Sequence, residues 1–587
     1  MEAACRALAA AQRSALASDS NRRLTMNATA TPPTTIAKAL EAYRSHGVIS
    51  RDDIAAVELL VEMARRDGAD EPGLLACLGM GLAMRTVRDG HTCVDFGRIG
   101  EWAAGLDLSG LGDLQWPTTA KPWIDAITKA DRLVGSPGSR RPFILDDQRL
   151  YLARSHAEEA AIAATMLTRA KQARLRILLG GPGTGKTTKI AHDLVASFKS
   201  LPADAPVPRV ALAAPTGKAA ARMSEVLSAR CQEAGASPEV IAAVTAEPAR
   251  TVHKLLGYNP SRNNRYTYHA GHPLPYDIVI VDEASMLSSA LMHRLLAAVR
   301  PDAEIRLVGD PDQLASVDAG TVLGDLALSA ATGRSASPLQ ASVETLTTIH
   351  RAEAREIIDL AAAIRETHAA RAFEVLASGS EAVRWVDPAD RRSLDAVLTT
   401  VSDHARQLRA AAKSRKPLTV LTTQSQLQVL CAHRDGPMGV AGWNTRIEKP
   451  LAISPGELWY AGRPVMVTRN SRALGLANGD VGVTVPKGSR MEALFGQPEN
   501  HTRVPVTRLE HVATVHALTI HKSQGSEYGH AVVVLPEQPS RIVTRELLYT
   551  GITRARQQVT IVGPRAVIEA AITTPIRRAT GLADRLT

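Results

Sequence analysis

The sequence predicts an α/β protein in which a helical N-terminal domain precedes strands that alternate with helices. Three observations predict it. First, Gly180-Gly181-Pro182-Gly183-Thr184-Gly185-Lys186-Thr187 lies between an apolar run, Leu175–Leu179, and a segment with helical spacing (Thr188, Ile190, Ala191, Leu194, Val195). Second, further apolar runs end in short polar stretches: Arg209–Ala214 before Pro215, Asp277–Val281 before Asp282, and Ile305–Gly309 before Asp310. Strands that alternate with helical patterns in this way build parallel sheets. Third, residues 35–130 repeat apolar side chains at helical spacing.

Bulk properties bound the class. At 587 residues and 45% apolar content the chain can fill several cores. The formal net charge of +10 suits a polyanionic partner. Five cysteines lie far apart with no C-x-x-C pair, which reads as reduced, mostly buried thiols rather than a disulfide framework or a zinc site. No apolar run reaches about eighteen residues, so no membrane span is expected.

Residues 1–34 are rich in Ala, Arg, Ser, Asn, Thr and Pro, lack the apolar core of a signal peptide, and are expected to carry little fixed structure. Met26 offers an alternative start. From 35 to 130, Ile36, Leu40 and Tyr43, then Ile54, Val57, Leu60 and Val61, then the Leu, Ala and Met of Gly73–Arg85 define helices with no catalytic constellation. An interaction role is the natural expectation for such a domain. Gly90-His91-Thr92-Cys93-Val94-Asp95 has one His and one Cys, too few ligands for a metal, and reads as a turn. Residues 131–142, with Gly135-Ser136-Pro137-Gly138, read as a linker.

The first lobe is expected over 143–340. It opens with a short hairpin, Phe143–Leu152, and a helix, Ala157–Ala170, before the Gly-rich loop. That loop has the form G-x-x-x-x-G-K-T. Its glycines let backbone N–H groups turn inward around a phosphate chain, and the helix start adds its positive dipole end. Lys186 then reaches the β- and γ-phosphates, and the Thr187 hydroxyl can hold Mg²⁺. This is a nucleoside-triphosphate site, with Gly180 through Thr188 as its wall. Ala214-Pro215-Thr216-Gly217-Lys218 offers a second anion-facing turn, although a plain strand–helix connection would read similarly. After Thr251-Val252-His253-Lys254 comes a polar insert, 258–276, holding four of the chain's twenty aromatics. With Asn263-Asn264 as its turn and Arg265-Tyr266-Thr267-Tyr268-His269 as one arm, a protruding hairpin could stack Tyr266 and Tyr268 on bases; tyrosines steadying an ordinary hairpin would leave the same pattern. The strand 277–281 delivers Asp282 and Glu283, one carboxylate for Mg²⁺ and the other to orient the attacking water. Gln313 follows the next strand, placed to sense the γ-phosphate.

Taken together, the Gly-rich loop, Ala-Pro-Thr-Gly-Lys-Ala-Ala, Thr-Val-His-Lys-Leu-Leu-Gly, Val-Asp-Glu-Ala-Ser and Gly-Asp-Pro-Asp-Gln-Leu resemble a superfamily 1 DNA helicase of the RecD type. Leu346–Arg351, Ala517–Tyr528 and Leu548–Arg556 resemble the fourth, fifth and sixth helicase motifs, with His350 where many relatives carry Phe. Arg434–Val440, Trp443-Asn444, Gly462–Val467 and Asn478–Gly482 match RecD-type chains specifically. The resemblance covers about residues 143–565 and, more loosely, the N-terminal domain.

It implies two RecA-like lobes, the second over 341–587 with a β-barrel-like insert at about 447–509. It implies ATP hydrolysis with Mg²⁺, and movement along single-stranded DNA that separates duplex DNA, with 5′-to-3′ polarity. Pro215, Thr216, His253, Thr519, His521 and Lys522 would line the DNA path, and Glu527 would touch the nucleotide. If the second lobe packs across bound ATP, Arg351 and Arg554 can both meet the γ-phosphate. The resemblance further implies assembly with RecB-type and RecC-type subunits into a DNA-end-processing exodeoxyribonuclease V, in the cytoplasm at the nucleoid. RecC is the chief partner expected for the helical domain. No carboxylate–Lys cluster of nuclease type is present, so any cutting would fall to a partner. A stand-alone relative would carry a longer N-terminal region. A conjugative relaxase–helicase would need an N-terminal His cluster and a nucleophilic Tyr. A scaffold with incidental ATPase would not need the nucleotide and arginine set.

Overall fold

The computed structural model describes residues 35–103, 116–202, 204–259, 265–332, 338–349, 354–414, 416–453, 457–498 and 500–587. The N-terminal extension 1–34, the Asn263-Asn264 turn and the His350-Arg351 pair lie outside the described residues.

Helices Thr35–Ser45, Arg51–Arg66, Leu74–Arg88 and Ala120–Ile127 build the N-terminal domain. Ser50 starts the second with a reciprocal cap: its hydroxyl accepts from the Asp53 N–H at 3.2 Å and its own N–H donates to the Asp53 carboxylate at 2.8 Å. Such a cap stabilises by about 1 kcal/mol. Asp53 is buried, and Arg88 answers its charge at 2.7 Å. Leu74–Arg88 is apolar on nearly every side and is therefore the helix the others wrap. Under it, Phe96 stacks on Trp123 at 5.2 Å, and Trp116 meets Trp123 edge-on.

Four short strands complete this domain: β1 (Cys93–Asp95), β2 (Val134–Gly135), β3 (Phe143–Asp146) and β4 (Arg149–Leu152), in the order β1-β4-β3-β2. The division expected at 142/143 cuts through this sheet. Residues 131–142 are not a free linker, because Val134 and Gly135 pair with Phe143 and Ile144. Phe143, Leu150 and Leu152 are buried in the core of the helical domain. The expected hairpin is there, but it belongs to the N-terminal unit.

The first lobe is a six-stranded, all-parallel sheet of β5 (Leu175–Gly180), β6 (Val210–Ala214), β7 (Arg250–Thr251), β8 (Ile278–Val281), β9 (Glu304–Gly309) and β10 (Val343–Leu346), ordered β10-β5-β9-β8-β6-β7. Helices cover both faces, which is why β8 reads Ile-Val-Ile-Val without alternation. β10 lies beyond the expected lobe boundary at 340 yet pairs with β5. In the insert 258–276 the described residues hold isolated bridges, Asn259 with Arg265 and His269 with His272, in place of a ladder.

The second lobe is also parallel: β11 (Val383–Val386), β12 (Leu427–Cys431) and three later strands. Between them stands an antiparallel insert of β13 (Pro464–Val467), β14 (Val481–Lys487), β15 (Arg490–Gly496), β16 (His501–Pro505) and β17 (Val512–Thr514). Then come β18 (Ala517–Thr519), β19 (Tyr528–Val534) and β20 (Ala555–Val562), giving the order β11-β20-β19-β12-β18. The insert is a sheet ordered β16-β15-β14-β13-β17. Its strands run over 464–514 rather than 447–509, because Ile447 belongs to the helix Val440–Glu448 and is buried in the lobe core. Period-two alternation splits its faces: Val483, Val485 and Leu494 pack on Leu408 and Ala412 of the helix Arg391–Ser414, while Ala493 and Phe495 join Val465 on the other side.

After the helix Arg565–Thr573 the chain leaves the second lobe. Leu582 and Leu586, both fully buried, complete the first-lobe core. Among the described residues no helix is long and apolar enough to cross a membrane.

Candidate functional site

The candidate site begins where β5 ends. Gly183 and Gly185 adopt φ of +80° and +82°, a region that costs other residues strain, and Gly185 starts the helix Lys186–Lys199. The turn is tight: a Cβ on Gly180 would stand 2.6 Å from the Thr184 hydroxyl. Lys186 folds over it, its Nζ donating to the carbonyls of Gly180 at 2.6 Å and Gly181 at 2.9 Å. Pro182, Thr187 and Thr188 stand half-buried around the same turn.

Two carboxylates approach from the neighbouring strands. Asp282 follows β8, and Asp310 follows β9 and is 1% exposed. Burial pushes the Asp310 carboxyl up to about 6, against the pull of Lys186. Burial raises Asp282 too, with the Glu283 charge adding to it. Both are acids that a cation would hold ionised. Glu283 sits at φ +52°, a left-handed conformation that a non-glycine residue holds at a cost of about 1–3 kcal/mol. A tight Gly-rich turn at a helix start, a lysine, a hydroxyl and a carboxylate fit a nucleoside triphosphate with a hard divalent cation.

The second lobe closes on this set through its helix Arg545–Ile552 and the residues after it. Arg554 is 4% exposed and donates across the seam to the Gln313 amide oxygen at 3.0 Å. Its remaining nitrogens rest on the carbonyls of Thr550 at 3.2 Å and Ser526 at 3.3 Å. Gln313 in turn donates to Asp310 at 3.0 Å. The Tyr549 hydroxyl meets the same carboxylate at 3.3 Å and stands where a Cβ on Gly181 would come within 2.9 Å of it. Gln313, Arg554, Asp310 and the Gly-rich loop thus form one cluster between the lobes. Arg351 lies outside the described residues. Glu527 carries an ion pair with Arg222 of the helix Gly217–Glu233 at 2.9 Å, a second strut across the seam.

The remaining candidates stand at strand ends along the same edge of the two sheets. Pro215 and Thr216 follow β6, and Thr216 caps its helix through the Ala219 N–H. His253 is exposed two residues beyond β7. In the second lobe Thr519 ends β18, while His521 and Lys522 follow in a short 3-10 turn. Burial, then the nearby Arg434 charge, lowers the pKa of both His521 and Lys522. The two groups flank the seam, since a Cβ on Gly525 would lie 3.6 Å from that of Ala219. Ala477, beside the Asn478-Gly479-Asp480 turn of the insert, likewise comes 3.1 Å from where a Gly217 Cβ would be.

Tyr266 and Tyr268 do not protrude. Both pack partly buried against the first-lobe core, Tyr266 beneath Arg294 at 4.7 Å and Tyr268 stacked on His272 at 5.2 Å. Arg265, Thr267 and His269 take the exposed side. Three contributors escaped the sequence reading. Tyr549 and Thr550 lay inside a quoted motif, but only the arginine of that motif had a charge to mark it. Arg222 ended another motif, with its partner some three hundred residues away.

Comparison with known proteins agrees with this layout. Residues 45–151 match the N-terminal domain of RecBCD enzyme subunit RecD, 156–387 an AAA domain, and 514–562 a UvrD-like helicase C-terminal domain. The chain is 40% identical over 555 residues to RecBCD enzyme subunit RecD of Mycolicibacterium smegmatis, covering 88% of this chain and 95% of that one. It is 35% identical over 407 residues to the ATP-dependent RecD2 DNA helicase of Deinococcus radiodurans, covering 67% of this chain and 48% of that protein. Among solved structures, Pif1 helicase from Candida albicans is 15% identical with a TM-score of 0.37, over 69% of this chain and 95% of that one.

Proposed function

The chain belongs to the RecD family and is an ATP-dependent DNA helicase of the RecD type; from that premise we propose how its own residues do the work. Lys186 and the backbone N–H groups of Gly181 and of Gly183–Lys186 bind and orient the ATP phosphates. Thr187 and Asp282 would hold Mg²⁺, which supplies charge neutralisation at the β- and γ-phosphates. Glu283 positions the attacking water. Gln313 reads the γ-phosphate from the first lobe while Arg554 neutralises developing charge from the second, a role the fourth-motif resemblance also assigns to Arg351.

The observation that supports this reading is the Gln313–Arg554 bond, which joins a second-lobe guanidinium to the first-lobe residue read here as the ATP sensor. ATP binding and release can therefore open and close the seam. Pro215, Thr216 and His253 on one side and Thr519, His521 and Lys522 on the other would then grip single-stranded DNA alternately, in the 5′-to-3′ sense. Its likeness to RecBCD enzyme subunits, one of them covered over 95% of its length, supports the reading that the chain acts with RecB-type and RecC-type partners at DNA ends in the cytoplasm. The stand-alone reading is weaker, because the RecD2 helicase matches at 35% identity over 67% of this chain, against 40% over 88% for the RecBCD subunit.

The test is a strand-displacement assay on 5′- and 3′-tailed duplexes, with Lys186→Ala alongside. The variant should fold and retain DNA binding but lose ATP hydrolysis and unwinding. DNA-stimulated ATPase near the wild-type rate in Lys186→Ala would sink the assignment, and unwinding of the 3′-tailed duplex alone would reverse the polarity.

A further inference from the structure

The loop that follows Gln313 is held by all three parts of the molecule. Leu314 buries its side chain in the second-lobe core, takes the Thr550 hydroxyl on its N–H at 3.0 Å, and receives the Gln524 amide on its carbonyl at 3.3 Å. Ser316, Asp318 and Gly320 then turn their carbonyls toward one side chain, Arg578. Its Nη1 donates to Asp318 at 2.7 Å and Gly320 at 2.9 Å, and its Nη2 to Ser316 at 2.5 Å. A loop without a ladder leaves such carbonyls in need of donors, and a planar guanidinium can serve three at once.

Arg578 belongs to a strap, residues 574–587, that begins on the second lobe. The Ile576 N–H is held there by Glu546 at 2.7 Å. The strap then crosses the N-terminal domain. The Ala579 N–H donates to His91 Nδ1 at 2.8 Å, and the Ala579 carbonyl accepts from the Thr92 N–H at 3.0 Å. The same Gly90–Thr92 turn grips the loop directly, the Gly90 carbonyl accepting from the Gly320 N–H at 2.9 Å. A side chain at Gly90 would be strained at its φ of +90°, and its Cβ, 2.8 Å from the Arg578 guanidinium carbon, would push that side chain aside.

We propose that Arg578 is a positioning residue for Gln313, fixing the loop 314–320 against the Gly90–Thr92 turn, so that the nucleotide sensor is coupled to the N-terminal domain. The inference rests on the reading of Gln313 as that sensor. The guanidinium's hydrogen bonds go to Ser316, Asp318 and Gly320, not to the Gly-rich turn. Arg578 sets where the loop stands, and a shift of about 1 Å at a catalytic contact can cost up to 100-fold in rate.

The experiment compares Arg578→Ala, Arg578→Lys and Arg577→Ala in the full chain. Arg577→Ala loses only an exposed ion pair of the same strap, to Glu101 at 2.8 Å. Arg578→Ala should lower kcat of the DNA-stimulated ATPase about ten-fold or more, leave the KM for ATP near wild type, and speed hydrogen exchange at 313–320. Arg578→Lys, which offers one nitrogen for three carbonyls, should fall between, and Arg577→Ala should match wild type. A wild-type kcat in Arg578→Ala, an equal loss in Arg577→Ala, or unchanged exchange overturns the proposal. Should Arg578→Ala fail to fold, a wild-type kcat and exchange in Arg578→Lys overturns it. Lys186→Ala, run in parallel, separates this from a failure of the ATPase reading itself.

Discussion

Arg554 reaches the candidate nucleotide site from the other lobe, and three hydrogen bonds hold its guanidinium in place. The carbonyls of Thr550 and Ser526 fix two sides of the guanidinium, leaving the third for Gln313. Arg554→Ala should therefore lower kcat for ATP hydrolysis by about 10³ or more while nucleotide affinity changes little; steady-state ATPase with a fluorescent-nucleotide titration checks both. A second residue contributes to acid stability. His516 is buried, and its Nε2 meets the Tyr460 hydroxyl, itself donating to Glu448, at 2.9 Å. Burial lowers its pKa to about 3 from an ordinary 6.5. Below pH 6.5 the unfolded chain takes up a proton that the folded chain refuses until about pH 3, so stability falls with pH across that window. The loss is about 1.4 kcal/mol per pH unit for one such histidine. His516→Gln should flatten this limb, seen as a smaller difference between urea midpoints at pH 7 and pH 5.

At the scale of elements, the insert 258–276 shows how one pattern serves two readings. Alternation put Tyr266 and Tyr268 on one side, as the sequence states, but the side they occupy faces Arg294, His272 and the first-lobe core. Tyr266→Ala and Tyr268→Ala should each lose about 1 kcal/mol from stacking and cation–π contact, lowering the melting temperature along with strand separation. Unwinding lost at unchanged melting temperature would return the tyrosines to a base-stacking role. The strands carrying the nucleotide site were legible because each combines a buried apolar run with a polar end, as at Ile278–Val281 before Asp282. The pairing of β2 was not, because Val134-Gly135 is two residues long and sits among Gly, Ser and Pro. β10 was hidden likewise, since Glu344 and Thr345 interrupt its apolar pattern at the sheet edge. The strap has no periodicity at all; its meaning lies in partners such as Gly90, Asp325 and Glu159, hundreds of residues away.

For the molecule as a whole, the N-terminal sheet decides where the chain can be cut. A truncation starting near Arg140 would keep β3 and β4 but remove β1, β2 and the helices that cover Phe143, Leu150 and Leu152. It should aggregate, as gel filtration would report, whereas a chain starting at Ala153 removes the sheet as a unit. The Ala153 form should retain helical circular dichroism but fail to co-purify with RecB-type and RecC-type subunits; normal assembly would rule out the N-terminal domain as the docking element. Leu582 and Leu586 carry a different consequence. They belong to the first-lobe core, yet they come more than two hundred residues after Leu346, the end of that lobe's last strand. On the ribosome the first lobe therefore emerges with a gap between its helices, and the whole second lobe must be synthesised before the two leucines arrive to fill it. Of the two lobes, the nucleotide-binding one is begun first and finished last.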